Sequence, residues 1–264
     1  MSLQRGLSPI IVCAGSPAQS PLANRSAGVV ASPAVPPAFP ELAVAPYAWY
    51  DFNDLTTMFT DAGTTPVANQ DDKIYQINDK SASNLHLVQA TESKRPLLDL
   101  AAVNGFNVAQ FDHDAVRELY RDTANVAQPN TVFFVCHYAN YSMLGNTGTT
   151  NRNQFYDSAA AGAYTPAIYA GTALSASAAT SGAEGPYCFT LLFNGGSSYI
   201  RQDGVQVAAG NAGTQPLDGI RLGAYSLGVG YQSYMCEVLI FDQAISDTDR
   251  GNLEAYLMEK WGVA

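Results

Sequence analysis

Residues 237–264 read "EVLIFDQAISDTDRGNLEAYLMEKWGVA". An apolar, strand-like run passes at once into a helix, and both helix ends can be argued locally. Ser246 suits an N-cap, and Asp249 three residues on resembles a capping box with the shorter acid. Asp247 and Asp249 also favour the positive end of the helix dipole. Leu253, Tyr256, Leu257 and Trp261 fall at i, i+3, i+4 and i+8, which is one helical face. Gly262 then stops the helix. A single amphipathic helix after a strand reads as a plug packed on a β-fold.

The chain before it is β-like. Hydrophobic residues make up 47% of the 264 and charged residues only 14%, with 22 Gly, 15 Tyr and 11 Phe. That mixture suits short strands and many turns better than a helical bundle. "YAWYDF" (47–52), "KIYQIND" (73–79), "NLHLVQ" (84–89), "NVAQFD" (107–112) and "NTVFFVCHYA" (130–139) are β-type runs. "NQFYDS" and "AIYAG" are weaker ones in a Gly/Ala/Thr-rich middle. "YCFTLLFNG" (187–195), "SSYIRQDGVQVA" (197–208), "DGIRLGAYS" (218–226) and "YMCEVLIFD" (234–242) complete the series, with "QDGV" (202–205) a hairpin turn of the Asp-Gly type. About a dozen short strands at this spacing indicate an antiparallel sandwich.

Residues 1–46 differ in texture. They hold eight of the fourteen prolines and only three charged residues, Arg5, Arg25 and Glu41. Proline lacks the amide donor and fixes φ, so the block reads as an extended arm that needs a partner surface to become ordered. The expected division is therefore an arm at 1–46 and a β-domain at 47–264. "MSLQRGLSPIIVCAG" is too short and too Pro-interrupted for an export signal, so no cleaved leader is expected. No run approaches the roughly 18 apolar residues that span a bilayer. The net charge of −10 speaks against nucleic acid, which needs clustered Lys and Arg. Of the four cysteines, Cys136, Cys188 and Cys236 lie inside strand-like runs and read as buried free thiols. Cys13 lies in the arm and is the candidate for an intersubunit disulfide.

The closing stretch "EVLIFDQAISDTDRGNLEAYLMEKWG" resembles the C-terminal signature of concanavalin A-like, laminin-G-like jelly-roll domains. "WYDF" (49–52), "IYQINDKSASNLHLVQ" (74–89), "KRP" (94–96), "VAQFD" (108–112) and "SSYIRQDGVQV" (197–207) agree in order. The resemblance implies an all-β, antiparallel, concanavalin A-like jelly-roll sandwich with a short C-terminal helix and an extended N-terminal arm. Such folds serve lectins, glycosidases, adhesive modules and viral structural proteins, so the resemblance bears on fold more than on function.

Catalytic residues are harder to find. The family's glycosidases carry their acids as Glu-x-Asp-x-x-Glu on one strand, where alternation aims them into one cleft. None of the seven Glu recurs at that spacing, and Glu237 and Asp242 are an odd five apart. His86, His113 and His137 are dispersed, with no zinc-type His pair. Asp112, His113 and Asp114 form the most acidic cluster, which reads as a solvated loop, with calcium held by loop oxygens as the alternative. No catalytic, cofactor-binding or metal residue is named, and the chain is expected not to be an enzyme. The arm and the missing catalytic pattern favour a virion component of a tailed bacteriophage. Residues 1–46 would dock on capsid or tail subunits, the protein would form a homo-oligomer, and the jelly roll would be displayed, with a surface glycan as a further partner. The alternative is a cell-surface or secreted carbohydrate-binding module or adhesin, whose Tyr and Trp would stack on sugar rings.

Overall fold

The structure, a computed structural model, describes residues 35–112, 115–137, 144–145, 153–157, 165–177, 185–225, 229–230 and 233–264. The chain falls into two units, Met1–Ala31 and Ser32–Ala264, and every described residue belongs to the second. Strands with one apolar face must bury it against another layer. Here two antiparallel sheets do so for each other. The first has eight strands in the order Val205–Gly210, Ser198–Gln202, Pro186–Phe193, Asn130–His137, Ser233–Phe241, Phe106–Phe111 and Leu97–Val103, with Ala48–Asp51 paired onto Ser233–Phe241. The second has nine, in the order Ala173–Ser175, Pro166–Tyr169, Gln154–Asp157, Leu144–Gly145, Leu217–Leu222, Leu119–Val126, Leu87–Val88, Gln76–Ile77 and Met58–Phe59. The expected antiparallel jelly-roll sandwich is what the chain forms.

Alternation sorts the side chains. Val132, Phe134, Phe189, Leu191, Val238 and Ile240 of the first sheet meet Leu119, Phe155, Ile168, Ile220 and Leu222 of the second in one core. Residues one step along those first-sheet strands point the other way, and the helix Asp247–Trp261 covers them. That is why Ser233–Phe241 is buried at all nine positions. Phe133 meets Phe241 edge-on at 5.9 Å there, and Leu253, Leu257 and Trp261 of the helix are fully buried.

The helix ends follow their local chemistry. Ser246 Oγ accepts from Asp249 N at 3.1 Å, and Gly262 closes the helix at φ 68°, a left-handed conformation that glycine adopts without strain. The capping box is only half made, because the Asp249 carboxylate turns to Ala43 N at 3.4 Å. The described end of the Pro-rich segment thus lies along the helix, where Phe39 stacks on Trp49 at 4.3 Å and meets Tyr256 edge-on at 5.2 Å. A second tie is Arg201, whose Nε donates to Glu254 Oε1 at 2.7 Å.

Several local readings change. "KIYQIND" contributes only Gln76–Ile77, while the strand Leu119–Val126 falls in none of the β-type runs named above. The hairpin at 202–205 forms as expected, with Asp203 and Gly204 both at positive φ (52° and 74°). Cys136, Cys188 and Cys236 are buried free thiols, each pushed well up by burial. Cys13 lies outside the described residues, and so does all but the end of the arm.

Candidate functional site

The densest cluster of titratable groups lies under the helix. Glu237 is fully buried, and its carboxylate accepts from Trp49 Nε1 at 2.8 Å, Trp261 Nε1 at 2.9 Å and Lys260 Nζ at 2.8 Å. Lys260 Nζ also reaches Asp51 Oδ2 at 2.9 Å and accompanies the Tyr256 hydroxyl at 3.3 Å. Burial, then the Asp51 charge, raises the Glu237 carboxyl, with Lys260 opposing. Burial works against the Lys260 ammonium, but Glu237 and Asp51 outweigh it and hold its pKa above the ordinary value. Asp51, Glu237, Tyr256 and Lys260 are all buried. The network locks the helix to the sheet. Both tryptophans are spent in it, so neither is a sugar platform.

The outer side of the nine-stranded sheet is different. Its register places one residue from each strand on a single rung. Phe59 pairs with Gln76, Gln76 with Val88, and Val88 with Tyr120. Tyr120 then pairs with Arg221, and Arg221 with Gly145. Phe155 opposes Leu144, so one step along Gly145 falls beside Gln154, which pairs with Tyr169. Leu119, Leu222, Phe155 and Ile168, one step away, all belong to the core. Alternation therefore turns Tyr120, Arg221, Gln154 and Tyr169 outward. From Tyr120 to Tyr169 are four strand spacings, about 19 Å.

The chemistry along the rung suits a polyhydroxylated ligand. The Arg221 guanidinium lies over the Tyr120 ring at 4.8 Å and pairs with Glu118, two residues along on the same face. Gln89 Nε2 supports Glu118 Oε1 at 3.2 Å. At the other end Tyr156 stands on the face of Gln154 and diagonal to Tyr169. Its phenol is raised by burial and then by Tyr169. Between the two ends Gly145 adds no side chain, and among the described residues nothing lies within 4 Å of where a Cβ would stand. The half-buried Tyr120, Arg221 and Tyr169 thus share one line with the buried Gly145 and Gln154.

The acids and histidines singled out from sequence do not join this face. Asp242 is exposed at the end of Ser233–Phe241. His86 Nδ1 accepts from Asp79 N at 3.1 Å, and His137 meets Tyr234 edge-on at 6.1 Å. Asp112 Oδ1 accepts from Ala115 N at 3.2 Å, while His113 and Asp114 lie outside the described residues. One further concavity, an open cleft of about 490 Å³, is lined by Ala127, Gln128, Asn194, Gly195, Thr214 and Pro216. There the Gln128 side chain is occupied in holding loops, accepting from Gly195 N at 2.8 Å and donating to Gly213 O at 3.1 Å and Gln215 O at 2.8 Å.

No protein-family model matches the chain, and the comparison with curated proteins found no match. Solved structures do match. A mutant GH54 α-L-arabinofuranosidase soaked with 4-nitrophenyl α-L-arabinofuranoside superposes with TM-score 0.58 at 15% identity, over 83% of this chain and 60% of that one. An arabinofuranosidase complexed with arabinofuranosyl-α-1,2-xylobiose gives TM-score 0.58 at 14% identity, over 84% and 60%. Trypanosoma rangeli sialidase in complex with the inhibitor DANA gives TM-score 0.50 at 10% identity, over 78% and 32%. The chain thus spans about 60% of the length of the arabinofuranosidases it matches. At these identities the likeness shows the fold, an all-β sandwich.

Two expectations fall with these matches. The tailed-phage virion component gives way, because the matches include arabinofuranosidases and a sialidase and offer no phage protein in its support. A Pro-rich arm was its main support, and such an arm follows from composition alone, whatever it docks on. The expectation of a non-enzyme is also overturned, since glycoside hydrolases carry this fold. The Glu-x-Asp-x-x-Glu test detects only acids that share one strand. A sandwich can equally bring acids together from separate strands, which sequence spacing does not register.

Proposed function

We propose that residues 47–264 form a carbohydrate-binding sandwich of the concanavalin A-like kind, with the outer face of the nine-stranded sheet as the glycan platform. The observation that carries this reading is the rung Tyr120–Arg221–Gly145–Gln154–Tyr169. Sugar rings present C–H faces to aromatic side chains and hydroxyls to Arg, Gln and Glu, and the rung offers both along one line. Sandwich relatives whose solved structures hold arabinofuranosides and a sialidase inhibitor support the reading at the level of fold. The test is a glycan panel containing neutral and acidic oligosaccharides, probed with the whole chain. At least one oligosaccharide is expected to bind, and Tyr120→Ala and Tyr169→Ala should each weaken it about tenfold, or about 1.4 kcal/mol. Binding that ignores both substitutions would move the site elsewhere, and no binding across the panel would refute the function.

A further inference from the structure

We propose, resting on the glycan-binding reading, that the ligand is an acidic sugar whose carboxylate is received by Arg221 and Lys94. The chain carries 23 acidic residues against 13 basic ones, yet four of the basic ones gather at one end of the rung. Lys94 Nζ lies 3.8 Å from Glu118 Oε1 with its side chain 42% exposed. Arg221 pairs with the same carboxylate. Arg117 Nη1 donates to Arg95 O at 2.7 Å, and Arg95 spends its own donors on the carbonyls of Gln89, Thr60 and Ala90. Nearby Glu92 is paired off with Lys73 at 2.7 Å. Against Lys94, Arg95, Arg117 and Arg221, the carboxylate in ion-pair contact among the described residues is Glu118. The neighbourhood is therefore positive within an acidic chain.

Donor capacity is also left over. An arginine has five N–H donors, and Arg221 directs one to Glu118. Its Nε is buried with no partner among the described residues, and so is that of Arg117. Those two atoms are enclosed, so a carboxylate would meet Arg221 through the part of its side chain that stays exposed, 14%. Stacking on Tyr120 fixes the plane of the Arg221 fork, which matches a carboxylate in two parallel hydrogen bonds. Neutral hydroxyls would use the tyrosines and Gln154 equally well but would leave this positive end unanswered.

The experiment is calorimetric titration of the full chain with an oligogalacturonate, a neutral arabinoxylo-oligosaccharide of equal length, and sulfated dextran. The uronate should bind about tenfold more tightly than the neutral chain, and the preference should shrink with added salt. Arg221→Gln and Lys94→Gln should each reduce the ratio of the two affinities. Lys94 is exposed, so its variant stays informative should Arg221→Gln fail to fold, which melting curves would show. Equal affinity for uronate and neutral chain would overturn the acidic ligand and leave the glycan reading standing. Failure of every glycan to bind would remove both. Sulfated dextran bound as tightly as the uronate, with no sensitivity to Arg221→Gln, would show diffuse charge attraction and overturn the carboxylate site.

Discussion

Lys260 is the residue on which the helix side of the molecule turns. It is 2% exposed and stands between two carboxylates, Asp51 and Glu237, that have no other buried cation so close. Removing it would leave Glu237 buried without a cation and Asp51 with only the more distant Lys80, at 3.5 Å. Lys260→Met should therefore destabilise the fold by about 3–5 kcal/mol, measured by denaturant unfolding. Its pH signature follows from the raised pKa. The folded state holds the Lys260 proton more tightly than the unfolded chain, so the stabilisation is whole below the ordinary 10.5 and is lost as pH climbs through the raised value. Tyr256, raised from 10.0 chiefly by burial, acts with the same sign. The melting temperature should fall as pH passes about 10, and less steeply in Lys260→Met. An equal slope in the two proteins would show that Lys260 is not the titrating group. None of this is legible in the sequence, because the partners of Lys260 stand 23 and 209 residues away.

The helix itself is the element the sequence describes best. Its cap, its apolar face and its stop depend on neighbours within four residues, and all three appear where local chemistry places them. Trp261 is fully buried and meets Phe106 edge-on at 5.6 Å, so Trp261→Ala should cost about 3–5 kcal/mol. Ser246→Ala removes one cap hydrogen bond and should cost about 1 kcal/mol. Comparable losses from the two substitutions would mean that the helix packs loosely. The strands that carry the candidate site are the opposite case. Gln154–Asp157 and Pro166–Tyr169 are short runs in a Gly- and Ala-rich stretch, and their strand character comes from the ladder they join rather than from their own propensity. Leu119–Val126 is hidden by its charged neighbours for the same reason.

At the scale of the whole molecule the two sheets have divided the work. One buries both faces, inward on its partner and outward under the helix, and it takes both tryptophans with it. The other keeps an outer face on which Tyr120, Arg221, Gln154 and Tyr169 line up only because four strand registers agree. The fold class can be read from turns and alternation, whereas that alignment joins residues up to 101 positions apart in the chain and exists only after pairing. The most direct test is amide hydrogen exchange of the whole chain with and without an oligosaccharide that binds it. Slower exchange is predicted in Leu119–Val126, Gln154–Asp157, Pro166–Tyr169 and Leu217–Leu222, with the helix unchanged. Protection confined to the helix, to the edge strand Val205–Gly210 or to the cleft at Gln128 would contradict the account.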